Sequence, residues 1–139
     1  MSALDTNVLV RWITNDDAVQ CAHIRRLLQA TTAAGRRLYV PVTVLLETEW
    51  VLRSRYGFDR AAITLALDTL LSAPEIDFMD EIAVERALHL FRQDGAPDFA
   101  DCLHISLAGL VGHVPLLTFD QRAARLEGGL LLNGKAAGD

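Results

Sequence analysis

The chain has 139 residues, 51% of them apolar, with a mean hydropathy of +0.23, which excludes disorder over most of its length and favours one domain. Its net charge of −5 is unusual for a nucleic-acid binder. No apolar run reaches the roughly 18 residues of a membrane span, and we see no secretion signal. With two distant cysteines, Cys21 and Cys102, we expect a cytoplasmic protein.

The first half of the chain alternates short apolar segments with helical patterns. The two apolar residues at 3–4 predict a first strand that ends at Asp5. Residues 7–14 either continue this strand or form a short helix capped by Thr6 or Asn7. Helical spacing and stop signals predict helices over residues 17–34, 43–56 and 58–71, and strands over 38–40 and 76–78.

The second half continues this alternation. The pattern predicts helices over residues 80–93 and 98–110, strands over 116–118 and 130–132, and a loose tail over 134–139. We therefore expect a single domain over residues 1–133, of the α/β class with a mostly parallel sheet. Ligands bind beyond the carboxyl ends of parallel strands. Asp5 and Asp120 both fall at such ends.

One predicted helix carries two glutamates that we expect to differ in role. Glu49 precedes Arg53 by four residues, the favourable order for an exposed ion pair. Glu47 shares its face with Val44 and Val51 and has no basic residue nearby. We therefore expect Glu47 to face inward as the functional candidate and Glu49 to be solvated.

The other candidate acids each have an ordinary structural alternative. Asp5 is as suited to capping a helix as to binding a ligand. Asp98 and Asp101, three residues apart, fit a helix N-terminus, and that interpretation is favoured when the pair is taken alone. Asp120 fits a turn. Taken with Glu47, however, so many carboxylates at strand ends and helix starts require a divalent cation between them.

The ligand types indicate which cation would bind. Carboxylate oxygens without histidine or cysteine favour Mg²⁺ or Mn²⁺. Carboxylate sites with these ions catalyse phosphodiester hydrolysis. A bound ion also reverses the local charge, which would allow an acidic protein to hold a polyanion.

Four segments together resemble the PIN-domain ribonucleases, and most closely the VapC-type toxins of prokaryotic toxin–antitoxin pairs. The segments are Leu-Asp-Thr-Asn-Val-Leu-Val-Arg at 4–11, residues 44–53 around Glu47, Asp-Phe-Ala-Asp-Cys-Leu at 98–103 and Leu-Thr-Phe-Asp at 117–120. They occur in the family's order and cover nearly the whole chain.

The resemblance implies a three-layer α/β/α sandwich with a small central, mainly parallel sheet. It implies an Mg²⁺- or Mn²⁺-dependent endoribonuclease, the toxin of a type II pair, which hydrolyses RNA with metal-activated water. It further implies a homodimer, sometimes within a larger toxin–antitoxin complex, that a cognate antitoxin inhibits.

The resemblance also assigns roles by position. It makes Asp5, Glu47, Asp101 and Asp120 the catalytic, metal-binding acids, with Asp98 as a further metal contact in some members of the family. Thr6, Asn7 and Thr118 match pocket-lining residues. Twelve of the 13 basic residues are arginines, and four of them are candidate contacts for RNA or antitoxin: Arg11, Arg53, Arg55 and Arg122.

Three alternatives remain beside this interpretation. A PIN nuclease of RNA maturation or DNA processing would carry the same acids. A phosphate-receiver module needs an acidic pair after the first strand and a late lysine, whereas Thr6-Asn7 follows Asp5 and Lys135 lies in the tail. A catalytically silent binding module is opposed by the complete set of acids.

Overall fold

A computed structural model describes residues 2–133, which form seven helices and four short strands. The chain divides into two compact units, Met1–Met79 and Asp80–Asp139. Within the described residues, no helix combines the length and hydropathy needed to cross a membrane. The tail predicted over residues 134–139 lies outside the described part, and the single domain over 1–133 stays a prediction.

The first unit consists of four helices and a two-stranded parallel sheet. Strand β1 pairs with β2 in parallel, with Leu38 opposite Ile76 and Val40 opposite Phe78. Both strands lie where the sequence predicted them. The elements are α1 (Thr6–Thr14), α2 (Ala18–Ala33), β1 (Leu38–Val40), α3 (Val42–Tyr56), α4 (Arg60–Leu71) and β2 (Ile76–Phe78).

The predicted first strand is wrong in extent. Only Ala3 forms a parallel bridge, with Tyr39, and the Leu4 amide donates to the Tyr39 carbonyl over 2.9 Å. Helix α1 then begins at Thr6, because Asp5 is extended and its Oδ1 accepts a hydrogen bond from the Thr6 amide over 2.7 Å. Asp5, and not Thr6 or Asn7, is therefore the cap.

This start places α1 and α3 side by side at one edge of the sheet. Tyr39 lies in β1, opposite Ala3, so Asp5 and Pro41 each follow two residues beyond the same pair. Pro41 is the cap residue of α3, where its fixed φ and missing amide cost nothing. Both helices therefore leave from the carboxyl edge of the sheet, the edge at which ligands bind in parallel sheets.

The first unit is held together by apolar stripes on its helices. Aspartates cap α2 and α4, with Asp17 accepting from the Gln20 amide over 2.9 Å and Asp59 from the Ala62 amide over 2.8 Å. Gly57 ends α3 at a φ of 68°, a conformation that favours glycine. The core contains the buried side chains of Leu9, Val10, Val40, Leu45, Leu52, Ile63, Leu67 and Leu70.

The second unit contains three helices and a second parallel pair of strands. Helices α5 and α6 bury apolar faces, and the rings of Phe91 and Phe99 meet edge to face at a centroid distance of 5.7 Å. Leu116 lies opposite Gly129 in the sheet. The elements are α5 (Glu81–Phe91), α6 (Phe99–Leu110), β3 (Leu116–Thr118), α7 (Gln121–Arg125) and β4 (Gly129–Leu131). The sequence did not predict α7.

Candidate functional site

A groove of about 360 Å³ lies along α1 and α3 in the first unit. Helix α1 lines it with Asn7, Val10 and Arg11, and α3 lines it with Glu47, Trp50 and Val51. Each set follows the i, i+3, i+4 spacing of one helical face. The remaining lining residues are Asp5, Thr6, Arg55 and Tyr56. We call this the α1–α3 groove.

Asp5 caps a helix and also faces the groove, so its role as a cap leaves the ligand role open. Its Oδ1 caps α1 through the Thr6 amide, and its side chain is exposed and lines the groove. Within residues 2–133, the cap is the one hydrogen bond that this carboxylate forms. Capping therefore fixes the orientation of Asp5 and leaves Oδ2 available for a ligand.

The predicted orientation of the two glutamates is wrong. Glu47 is exposed and lines the groove, whereas Glu49 is only 2% exposed. The buried stripe of α3 consists of Leu45, Thr48, Glu49 and Leu52, and therefore not of the face that carries Val44 and Val51. Glu47 stays the candidate ligand, but because it faces the groove and not because it faces the core.

The ion pair predicted between Glu49 and Arg53 is present. Arg53 donates from Nε to Glu49 Oε1 over 3.0 Å, and its side chain is 44% exposed. The pair compensates a buried carboxylate, so it is not the exposed pair that we expected. Arg53 is thus engaged in structure, and its proposed contact with RNA or antitoxin remains a prediction.

Thr6 carries an unsatisfied hydroxyl in the groove wall. Its side chain is 7% exposed, and Oγ1 is buried without a hydrogen-bond partner within the described residues. A buried hydroxyl without a partner costs free energy. Thr6 therefore offers an unused oxygen beside Asp5.

Arg11 is held by a network at the far end of the groove. It donates from Nε to Gln20 over 2.7 Å, and from Nη1 to the Tyr56 hydroxyl over 2.7 Å and to Asp16 over 3.1 Å. The bond with Tyr56, and then the charge of Asp16, raise the pKa of Arg11. The Thr14 hydroxyl, chiefly, lowers the pKa of Asp16. Arg11 therefore ties three helices together.

The second unit contains the other predicted acids, Asp98, Asp101 and Asp120. Asp98 starts α6 without a side-chain cap hydrogen bond, so the capping alternative does not account for its carboxylate. Burial raises the pKa of Asp101, as do the charges of Asp120 and Asp98, while His104 opposes them. These three acids are close enough to repel one another, and we call them the α6 acid group.

Asp120 is held at the start of α7. Its Oδ1 accepts from the Ala123 amide over 2.8 Å, and its own amide donates to Thr118 Oγ1 over 3.0 Å. Asp120 and Asp98 line a second pocket, about 480 Å³ in volume, together with Arg122. Asp120 is thus a helix cap where the sequence alone suggested a turn.

The donors fit Mg²⁺ or Mn²⁺ in type. The entrance of the α1–α3 groove presents Asp5, Thr6, Asn7 and Glu47, all with hard oxygen donors. The unsatisfied Thr6 hydroxyl supports a polar occupant. Among residues 2–133, no three or more His, Cys, Asp or Glu side chains cluster closely enough to hold an ion by themselves. Mg²⁺ commonly binds through one or two carboxylates and completes its coordination shell with water and phosphate.

Two aromatic residues of the groove were missed by sequence reasoning. Trp50 and Tyr56 both line it, and both are partly exposed. Trp50 follows Glu47 by three residues, so helical spacing was a signal for the same face. Tyr56 carried no comparable signal, because its place depends on the hydrogen bond with Arg11.

A model of the PIN domain matches residues 3–129. The chain belongs to the PIN domain family. The match spans nearly the whole described chain and confirms the PIN-like α/β fold that the sequence predicted. A VapC ribonuclease from Aquifex aeolicus (strain VF5) is 24% identical over 127 residues, covering 91% of this chain and 92% of the relative. No solved structure matches the chain.

These comparisons confirm the resemblance that the four sequence segments indicated. The matched region contains all the candidate acids, from Asp5 to Asp120. Membership of the family does not by itself assign the ligands in this chain.

Proposed function

We propose that this PIN domain is a metal-dependent endoribonuclease, the toxin of a type II toxin–antitoxin pair. The observation that carries the proposal is the meeting of Asp5 and Glu47, from two separate family segments, in one groove. Membership of the PIN family and similarity to a VapC ribonuclease support it.

The catalytic acids in this proposal are Asp5, Glu47, Asp101 and Asp120, with Asp98 as a further metal contact. When bound, Mg²⁺ or Mn²⁺ neutralises phosphate charge and makes water nucleophilic near neutral pH. The cap on α1 holds Asp5 in one orientation, so little side-chain entropy is lost on binding. Thr6 and Asn7 add oxygen donors beside it, and Thr118 holds the amide of Asp120.

The proposed partners follow from the same resemblance. They are an RNA substrate, a cognate antitoxin protein and a second copy of the chain. The exposed Arg55 and Arg122 line the two pockets and are suited to phosphate or to antitoxin carboxylates. Since both pockets also contain acids, bound cations would be needed before a polyanion approaches closely.

Cleavage of RNA by the purified protein tests the proposal. We expect cutting in the presence of Mg²⁺ or Mn²⁺, 5′-phosphate products, and no cutting with a chelator. Asp101→Asn should abolish cleavage, and Asp94→Asn, at an exposed aspartate outside the α6 acid group, should not. Cleavage that persists in the chelator, or in Asp101→Asn, would overturn the proposal.

A further inference from the structure

Arg11 joins α1 to α3 and to α2 through side-chain hydrogen bonds. Its Nη1 donates to the Tyr56 hydroxyl over 2.7 Å and to Asp16 Oδ1 over 3.1 Å, and the Tyr56 hydroxyl donates to Asp16 Oδ2 over 3.1 Å. These three side chains form a closed set of hydrogen bonds, to which the Arg11 Nε adds a bond with Gln20 Oε1 over 2.7 Å. We call these four residues the Arg11 network.

The network occupies the guanidinium of Arg11 with partners inside the protein. Nε and Nη1 donate to three side chains, and the carboxylate of Asp16 compensates the positive charge. A phosphate or an antitoxin carboxylate would compete with Asp16 for this guanidinium. Several linked hydrogen bonds between charged and polar groups hold a geometry more firmly than an isolated surface pair does. The contacts of Arg11 therefore favour a role in holding helices over a role in binding RNA.

The network and two of the candidate ligands lie on the same pair of helices. Asp5 caps α1 six residues before Arg11, and Glu47 lies on α3 nine residues before Tyr56. These intervals correspond to about 9 Å and about 14 Å along the helices. All four residues line the α1–α3 groove. The bond between Arg11 and Tyr56 thus joins α1 directly to α3 and, unlike apolar contacts, has a preferred direction.

The separation of Asp5 and Glu47 depends on how α1 lies against α3, because each helix carries one of the two carboxylates. Mg²⁺ requires near-octahedral geometry with ligand distances of about 2.0–2.1 Å. A shift of one helix along the other by roughly 1 Å would therefore take one carboxylate out of the geometry that a shared cation requires.

We propose that Arg11, Asp16 and Tyr56 are positioning residues, whose hydrogen bonds hold α1 against α3 at the separation at which Asp5 and Glu47 share one cation. The proposal rests on the proposed function and deepens it, because it names residues that act on the metal site without contacting the metal. None of the three has to contact RNA for this role.

Titration of the full, metal-free chain with Mn²⁺, followed by electron paramagnetic resonance, tests the proposal because it measures the number of sites and their affinity separately. Asp5→Asn identifies the site, since it should abolish binding there. Tyr56→Phe removes only the hydroxyl and should weaken Mn²⁺ binding roughly 3- to 10-fold at an unchanged number of sites. Tyr39→Phe is the matched control and should bind like wild type, because Tyr39 lies in β1 and does not line the groove.

Substitutions of Arg11 separate positioning from contact with RNA. Arg11→Gln should weaken Mn²⁺ binding as Tyr56→Phe does, and the double variant should bind no more weakly than Arg11→Gln, because both changes remove the same link. Arg11→Lys keeps the charge but lacks the planar fork of donors, so it should not restore Mn²⁺ binding. Arg25→Gln on α2 is the control and should bind Mn²⁺ like wild type, because Arg25 is exposed and does not line the groove.

RNA cleavage supplies a second measurement. The Mn²⁺ concentration needed for half-maximal cleavage by Tyr56→Phe should rise by the same factor as its dissociation constant for Mn²⁺. The KM for RNA at saturating Mn²⁺ should stay that of wild type, since no RNA contact is removed. A general loss of folded protein would instead lower the number of Mn²⁺ sites and leave the affinity of the remaining sites unchanged.

Several outcomes would overturn the proposal. They are unchanged Mn²⁺ affinity in Tyr56→Phe, a loss of sites without a loss of affinity, and full recovery of Mn²⁺ binding in Arg11→Lys. Weaker RNA binding by Arg11→Gln at unchanged Mn²⁺ affinity would make Arg11 an RNA contact and would overturn it as well. A wild type that binds Mn²⁺ in the expected pattern but cuts no RNA would refute the proposed function alone, and an active wild type with equal Mn²⁺ affinity in Tyr56→Phe would refute positioning alone.

Discussion

Glu49 is buried on α3 and accepts a hydrogen bond from Arg53 Nε over 3.0 Å. Two positions earlier on the same helix, Glu47 is exposed and lines the α1–α3 groove. Glu49 is thus part of the packed structure, and Glu47 is the proposed metal ligand. The burial is the reverse of what the sequence predicted, while the choice of functional residue is unchanged.

Replacing each glutamate by glutamine should separate these roles. Glu49→Gln removes a charge-assisted hydrogen bond to a buried oxygen, so we expect a loss of about 1–2 kcal/mol in the free energy of unfolding. Glu47→Gln should change that free energy by less than about 0.5 kcal/mol, because the residue is exposed. Chemical denaturation measures both values.

RNA cleavage should show the opposite pattern. Glu49→Gln should retain nearly full activity at a temperature where it is folded, and Glu47→Gln should lose it. An inactive but stable Glu49→Gln, together with an active Glu47→Gln, would contradict the assignment of the two faces.

The buried face of α3 could not be predicted because its sequence contains two possible apolar faces. Val44 and Val51 mark one apolar face and Leu45 and Leu52 mark another, one residue along. Either face satisfies helical spacing, so only packing decides between them. A buried, ion-paired Glu49 is a tertiary feature that a local pattern cannot reveal.

Some features could be predicted because the contacts that form them are close together in the sequence. Others could not, because the segment is too short or its partner is far away along the chain. Asp17 and Asp59 were recognisable as starts of helices because the cap hydrogen bond lies within four residues. The bridge at Ala3 needs a partner more than thirty residues away. Helix α7 has five residues, which is too few for periodicity, so its cap Asp120 resembled a turn.

Asp5 can be tested in a way that separates its cap from its ligand role. Asparagine caps helices about as well as aspartate, whereas alanine loses about 1 kcal/mol. We therefore expect Asp5→Asn to abolish RNA cleavage at equal or higher thermal stability, and Asp5→Ala to lose both activity and stability. Calorimetry and a cleavage assay on the same preparations decide this. Full activity in Asp5→Asn would remove Asp5 from the site.

We expect the free energy of unfolding to depend on pH through Asp101 when no metal is bound. Burial and the charges of Asp120 and Asp98 raise its pKa above that of an unfolded chain. The folded state therefore favours the protonated form, and the stability that Asp101 contributes is present at low pH and lost as the pH rises through the folded-state pKa.

Asp101→Asn removes this charge permanently, so in a chelator it should melt higher than wild type at neutral pH. The difference should shrink as the pH falls below the ordinary pKa of aspartate. Asp94→Asn is the control and should follow wild type throughout. A difference in melting temperature that does not vary with pH would show that charge is not its cause.

Gly129 determines how α7, and with it Asp120, lies against β4. A Cβ at Gly129 would overlap the carbonyl oxygen of Ala123, a backbone atom that cannot move aside as a side chain does. We expect Gly129→Ala to cost about 2–3 kcal/mol in the free energy of unfolding. Gly109, which lies in α6, is the matched control, because a Cβ there meets only the Cγ1 atom of Val114, at 3.9 Å. Gly109→Ala should stabilise the protein by about 0.5–1 kcal/mol.

Urea denaturation of the two variants measures both effects, and equal changes in the free energy of unfolding would mean that the close approach of Gly129 to α7 is not needed. Because Asp120 caps α7 through the Ala123 amide, Gly129→Ala should also lower the rate of RNA cleavage below that of Gly109→Ala when both are folded.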